Sequence, residues 1–357
     1  MAIGSIQLTH FLSYGEALPF ELSSLNVLIG PNGSGKSNLI EAVALLQSLP
    51  RDVRRPINRG GGIDEWTSKL RQGGPTSVTV KHSGNLTGTH QVRLYSVDGR
   101  LEVFDLFEGF AGMQPDDKDY IRHDQSALAQ LRGPKYSAYT ALASYYESIR
   151  IYRNWVFGLD TPARQPQPPD LPSGFLEEDG SNLALVLQEV GNLYPELRRS
   201  LLAELDEIYD GIEDAGARIV AGKVQAFLRE EGLGIIPAGR LSDGTIRYLC
   251  LLTILCHPSP PPLVCIEEPE IGLHPDMLRR MAKLLIAASS RTQLIVTTHS
   301  DILVSGLSEA PGSVVVCSRD RNGSHLERID TEKLREDLEE STLGELWRSG
   351  EIGGNRW

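Results

Sequence analysis

The spacing of apolar positions changes several times along this chain, and the changes divide it. Residues 3–11, IGSIQLTHF, alternate apolar and polar side chains, the two-residue period of a half-buried strand. LNVLIG at 25–30 is a short continuous apolar run, the pattern of a strand covered on both faces. From Lys36 to about Leu46 the period lengthens, and Leu39, Val43 and Leu46 share one helical face. Residues 49–76 lose periodicity among Pro50, Pro56, the glycines at 60–62 and the GGP at 73–75, and read as loop. SVTVKH, HQVRLYSVDG and RLEVFDLF then resume alternation as antiparallel strands, with VDGR as a hairpin turn.

The middle of the chain changes character. Residues 138–155, AYTALASYYESIRIYRNW, are aromatic-rich and predict a helix. The proline-rich stretch 160–174 predicts a loop or semi-rigid spacer. Helical spacing returns in SNLALVLQEV and again beyond it, where Leu197, Leu201, Leu205, Ile208 and Ile212 keep to one face. From 216 a hairpin-like stretch is followed by a helix after LSDG, a strand at 263–267, a helix from Pro275 and the strands QLIVTTHS and SVVVCSRD. Such alternation implies parallel strands in an α/β layer. The expected division is therefore a core half at 1–110 with an antiparallel β lobe, a helical lobe at 111–215, a second core half at 216–330 and a tail at 331–357.

Composition narrows the class. The chain has 357 residues and a net charge of −12, which argues against wrapping nucleic acid over its whole surface but leaves room for a local basic patch. Cys250, Cys256, Cys265 and Cys317 lie in apolar runs without CxxC spacing, as buried reduced thiols would. The sequence opens with no basic-then-apolar leader, and its longest apolar run, YLCLLTILC, stops at His257. The expectation is a cytoplasmic protein with no membrane partner.

Two motifs carry the chemistry. GPNGSGKSN at 30–38 follows an apolar strand and opens a helix, matching G-x-x-x-x-G-K-[ST]. Glycines let successive N–H groups turn toward one anion, and the helix N-terminus adds partial positive charge. Lys36 would reach the terminal phosphates and Ser37 would ligate Mg²⁺; Asn32, Gly33, Ser34, Gly35 and Asn38 complete the expected ATP cradle. The second motif is LVCIEEPEIGLHP at 263–275, where a buried strand ends on Glu267 and Glu268. Adjacent carboxylates repel, so a cation must compensate them. Glu267 is assigned to the metal, Glu268 to the attacking water as general base, and Glu270 is left as a loop acid. Two weaker signals follow. LSDG at 241–244 places Ser242 as a helix N-cap, whose helix terminus would also suit a phosphate. VTTHS at 296–300 ends a strand in His299, either a γ-phosphate hydrogen-bond donor or a capping or core histidine.

With these four motifs in order, the chain resembles the ABC-type ATPase heads of the SMC, RecF and OLD group over residues 1 to about 320. GPNGSGKSN looks like their Walker A, LVCIEEPEIGLHP their Walker B with its D-loop, LSDGT their signature and TTHS their H-loop. The tail LGELWRSGEIGGNRW and the segment LEEDGSNLALVLQEV resemble a compact bacterial branch without coiled-coil arms. The resemblance implies an α/β P-loop NTPase fold and an Mg²⁺-dependent ATPase, with His299 and Lys36 assisting Glu268. It implies a homodimer that sandwiches ATP, with Ser242 and Gly244 meeting the γ-phosphate across the interface. It further implies a switch acting on a separate effector, such as a Toprim-like nuclease, and a setting in DNA repair or anti-phage defence, with DNA as a further partner. Gln125 is the candidate Q-loop metal ligand, and Phe11 and Tyr14 are the aromatics offered for the adenine. The arginines 51, 54, 55 and 59 are read three ways: a finger toward nucleotide, a DNA contact, or a solvated loop. Against an ATP-driven switch stand a nucleotide-gated scaffold with negligible turnover and, less in keeping with LSDGT, the ATPase subunit of a transporter.

Overall fold

The structure, a computed structural model, describes residues 2–70, 74–113, 122–153, 155 and 157–354. The chain opens with strands β1 (Ala2–Thr9), β2 (Phe20–Glu21) and β3 (Leu25–Ile29), then helices α1 (Lys36–Ser48), α2 (Arg54–Arg59) and α3 (Ile63–Trp66). Strands β4 (Thr76–Ser83), β5 (Gly88–Val97) and β6 (Arg100–Glu108) precede α4 (Ala127–Gln130), α5 (Ser137–Ser148) and β7 (Arg150–Tyr152). Helices α6 (Leu183–Leu193) and α7 (Pro195–Asp206) lead to β8 (Ile212–Val220), β9 (Lys223–Glu230), β10 (Gly234–Pro237) and α8 (Asp243–Leu255). The last part runs β11 (Leu263–Glu267), α9 (Pro275–Ala288), β12 (Gln293–Thr297), α10 (Asp301–Ser305), β13 (Val314–Asp320), β14 (Gly323–Arg328), α11 (Asp337–Glu340) and α12 (Leu343–Ser349).

The continuous apolar runs form the middle of a six-stranded sheet, ordered β14-β13-β3-β12-β11-β7. Every residue of β3 and β12 is buried, as strands covered on both faces require. Only β14 is antiparallel, so the carboxyl ends of β3, β12, β11 and β7 open on one edge. That edge is where an open α/β sheet leaves room for a ligand. One sheet face packs on α1: Leu28, Cys265, Ile295 and Ile151 join Leu39 and Val43 in one core cluster. The opposite face packs Val27, Ile266 and Val296 against α8 and α9 in a second cluster. Helix α8 is buried from Thr245 to Leu255, which explains why its apolar residues run all round it.

The alternating strands make an antiparallel sheet, β2-β1-β4-β5-β6, and the later hairpin gains β10 to form a second one. Four segments depart from expectation. The 138–155 helix ends at Ser148, and Arg150–Tyr152 becomes β7, hydrogen-bonded in parallel to β11. The 111–215 segment thus contributes a strand to the central sheet and is not helical throughout; three residues are too few for a period to show. The presumed loop 49–76 contains α2 and α3. Helix α7 stops at Asp206, and Ile212 starts β8. The proline-rich segment is packed: Arg164 and Gln167 are buried, and Gln167 exchanges backbone hydrogen bonds with Val224. In the 331–357 tail, α12 docks on α10, with Leu343 and Trp347 buried; Trp357 lies outside the described residues.

Candidate nucleotide site at the sheet edge

β3 delivers the phosphate loop to the carboxyl edge. Gly30 and Gly35 carry φ of +143° and +106°, and a Cβ on either would collide with its backing. At Gly30 it would lie 2.2 Å from the Cys317 carbonyl, and at Gly35 2.5 Å from Ser324 Oγ. The loop is braced from behind. Ser324 Oγ donates to Ser13 Oγ at 2.6 Å, Asn38 Nδ2 donates to Ser13 Oγ at 2.7 Å, and Tyr14 OH donates to the Gly35 carbonyl at 3.0 Å. Asn32, Gly33 and Ser37 are exposed, whereas Ser34 is buried and its Oγ has no hydrogen-bond partner among the described residues. Lys36 is buried, and its Nζ donates to the carbonyls of Gly30 at 2.7 Å and Pro31 at 3.1 Å. Burial lowers its pKa, while nearby Glu268 and Glu270 favour its charge.

Glu267 ends β11 in register with Thr297 of β12. Burial raises its pKa, and the Ser37 hydroxyl and Arg153 guanidinium oppose the rise. Its Oε1 is buried without a hydrogen-bond partner among the described residues. A carboxylate with one orphaned oxygen, beside a serine hydroxyl, is an oxygen donor set that suits a hard divalent cation such as Mg²⁺. Glu268 sits in the left-handed region at φ +45°, uncommon for a residue with a side chain. Its N–H donates to the Thr297 carbonyl at 3.0 Å, fixing the turn. The half-exposed carboxylate lies 3.7 Å from His299 Nε2. Desolvation lowers the His299 pKa, with Lys36 adding to the effect, which favours the neutral ring.

Glu270 is more than a loop acid. Its Oε1 accepts the His299 N–H at 2.6 Å, binding the turn after β11 to the one after β12. Its Oε2 is buried and has no well-formed hydrogen bond among the described residues; burial raises the carboxyl pKa, and the His299 N–H and the nearby Thr298 hydroxyl oppose the rise. A glutamate after a proline carries no periodic signal, so only the fold could reveal this contact.

The 241–244 motif lies elsewhere. Ser242 caps α8, accepting from the Thr245 N–H at 3.1 Å, and its Oγ is 2.7 Å from Thr245 Oγ1. Among the described residues, no hydrogen bond joins Ser242 or Gly244 to residues 30–38. Gly244 admits the 272 backbone: a Cβ there would lie 2.7 Å from the Gly272 carbonyl. Arg247 Nη1 donates to the Ile271 carbonyl at 2.7 Å. Buried Arg164 braces the motif from the proline-rich segment, donating to the carbonyls of Leu241 at 2.5 Å and Ala238 at 3.2 Å and pairing with Asp243.

Gln125 is half-buried on the approach to α4, its carbonyl accepting from Gln130. The residue set beside Glu267 is Arg153, just past β7, which the sequence reading did not single out. Phe11 and Tyr14 are fully buried, Phe11 edge-on to Trp66, so neither offers an open face to a base. Of the arginine cluster, Arg54 pairs with Asp52 and Asp124, and Arg51 lies 4.0 Å from Glu147, while Arg55 and Arg59 are exposed.

A parallel sheet opening on a glycine-turned phosphate loop, with acids at the adjacent strand end, defines a P-loop ATPase head. The family described as "AAA domain, putative AbiEii toxin, Type IV TA system" matches residues 25–305, and the chain belongs to it. Within that class its sequence is similar, over part of its length, to proteins of the SMC and RecF group, and its fold is similar to that of Smc heads. It is 32% identical over 108 residues to the "DNA replication and repair protein RecF" of Limosilactobacillus fermentum, covering 30% of this chain and 27% of that one. It is 33% identical over 90 residues to the "DNA double-strand break repair Rad50 ATPase" of Sulfurisphaera tokodaii, covering 24% and 10%. These matches therefore span about a quarter or less of the relatives' length. The head of Smc solved with the C-winged helix domain of ScpA superposes with a TM-score of 0.61 at 17% identity, covering 93% of this chain and 99% of that one. An Smc head with extended coiled coil, bound to the C-terminal domain of ScpA from Pyrococcus furiosus, also gives 0.61, at 16% identity and 95% and 99% coverage. Among the described residues, no helix is long and apolar enough to cross a membrane.

Proposed function

We propose that the chain hydrolyses ATP to ADP and phosphate with Mg²⁺, and that two copies close head to head on the nucleotide. The observation that carries the reading is the site's incompleteness: among the described residues Glu267 Oε1 has no hydrogen-bond partner, and Lys36 Nζ bonds only to its own loop's carbonyls. Bound Mg²⁺ would neutralise phosphate charge beside Ser37 and Glu267. The loop N–H groups and Lys36 would hold the phosphates of ATP, Lys36 exchanging its carbonyl partners for phosphate oxygens. Glu268, turned out of the strand, would accept a proton from the attacking water. His299, neutral and carried on the Glu270-tied turn, would donate a hydrogen bond to the terminal phosphate.

Ser242 and Gly244, separate from their own chain's phosphate loop, would face the nucleotide of the second copy. Closure would then report ATP, and hydrolysis would release it, making the dimer a switch for a separate effector. The relatives' names in repair support a setting in DNA metabolism, and the family description supports one in defence; a nuclease is one effector consistent with either. Phosphate release from Mg-ATP tests the chemistry. Wild type should turn over, and Glu268→Gln should lose about a hundred-fold or more in rate while keeping nucleotide affinity. Equal rates in the two proteins would remove Glu268 from the reaction.

A further inference from the structure

The cluster around Glu267 contains a cation that neither motif names. In the β7–β11 pairing, Val264 lies opposite Arg150, Cys265 opposite Ile151 and Ile266 opposite Tyr152. Continuing that register puts Arg153 opposite Glu267. Residues in register across parallel strands point to the same face. Ile151 and Cys265, two residues earlier on each strand, both pack in the cluster that contains α1. Arg153 and Glu267 therefore both aim at α1. The contacts agree: Arg153 Nη1 lies 2.5 Å from Glu41 Oε1, and Ser37 acts on Glu267. Ser37 and Glu41 are four residues apart on one helix, one above the other on the same face. Ser37, Glu41, Arg153 and Glu267 thus form one polar group flanking the phosphate loop. Both ends of the Arg153–Glu41 pair keep solvent access, at 25% and 31% exposure, so the pair can rearrange.

A guanidinium has donors only and cannot ligate a metal. Its planar fork matches phosphate oxygens, and it is the one cation in this group of four. We propose that Arg153 is a phosphate-binding residue that contacts the terminal phosphate of ATP from its own chain, and that Glu41 holds it in place until nucleotide arrives. This rests on the reading of the site as an ATP site. It gives that site a means of telling ATP from ADP that does not depend on the second copy.

Calorimetric titration of Mg-AMP-PNP and Mg-ADP into wild type, Arg153→Ala, Arg153→Gln and Glu41→Gln tests it, with melting temperature measured alongside. Arg153→Gln keeps a polar side chain of similar reach, guarding against loss of fold. Both Arg153 variants should weaken AMP-PNP about ten-fold or more and leave ADP within about two-fold, because only a charge-assisted contact to the last phosphate is lost. Glu41→Gln should keep the preference for AMP-PNP. If the Arg153 variants weaken both nucleotides alike, or melt lower with the preference intact, the pair is a structural tie and the proposal is wrong. If wild type binds neither nucleotide, the ATP reading fails first. If wild type prefers AMP-PNP and both Arg153 variants share that preference in full, only the role of Arg153 falls.

Discussion

At the sheet edge, Ser34 Oγ, Glu267 Oε1 and Glu270 Oε2 are buried without hydrogen-bond partners among the described residues, and Glu268 holds a left-handed backbone. At the start of α8 the polar side chains of Ser242, Asp243 and Thr245 have partners in Thr245, Arg164 and Tyr209, although Arg247 Nε and Tyr248 OH, further along the helix, are buried without hydrogen-bond partners among the described residues. Buried unpaired groups cost stability, and a cluster of them at the carboxyl edge of the sheet is one that a bound ligand could pair. On the proposed reading the first region receives the nucleotide and the second is the surface presented to it. In the proposed dimer each nucleotide would meet one of each.

The comparison breaks most readily at Lys36. Lys36→Ala should weaken Mg-AMP-PNP binding by about a hundred-fold, since several charge-assisted hydrogen bonds depend on one ammonium. Near-normal affinity by calorimetry would mean the phosphate loop is not waiting for an anion. Next in size is Arg164→Met, which takes the guanidinium donors away from the Phe157, Ala238 and Leu241 carbonyls. Urea unfolding should show a loss of about 3 kcal/mol, with AMP-PNP affinity of the monomer unchanged. An affinity change there would show that the two regions are coupled within one chain. Ser242→Ala removes the α8 cap and should cost only about 1 kcal/mol. The smallest effect concerns Glu267. Its carboxyl is raised by burial, so its share of stability is present at acid pH and is lost as pH rises through the folded pKa. Glu267→Gln should therefore raise the melting temperature of the nucleotide-free protein at pH 7 by about 1–2 °C and have little effect near pH 4. An unchanged melting temperature at pH 7 would mean that the empty site carries no strain from this charge.

Much of this was legible in the chain. Strands β3 and β12 are fully buried and β11 is buried up to Glu267, so all three announce themselves as apolar runs, and the phosphate loop has a spacing dictated by its chemistry. The residues that complete the site were not legible, for different reasons. Arg153 follows a three-residue strand, shorter than any period that could reveal it. Arg164 lies among prolines, and a proline-rich stretch reads as a spacer even where it is packed against α8. Glu270 acts on the His299 backbone from another strand end, a contact that depends on strand order alone. Phe11 and Tyr14 show the converse: aromatic residues near a phosphate loop suggest a base platform, yet both are spent on the core.

The central claim is that ATP joins the receiving region of one copy to the presented region of another. The mass of Glu268→Gln in solution, with and without Mg-ATP, tests it most directly. The account predicts a monomer without nucleotide and a dimer with it, and a return to monomer when Ser242→Arg is added. A mass that does not respond to Mg-ATP, in a protein shown to bind it, would contradict the account.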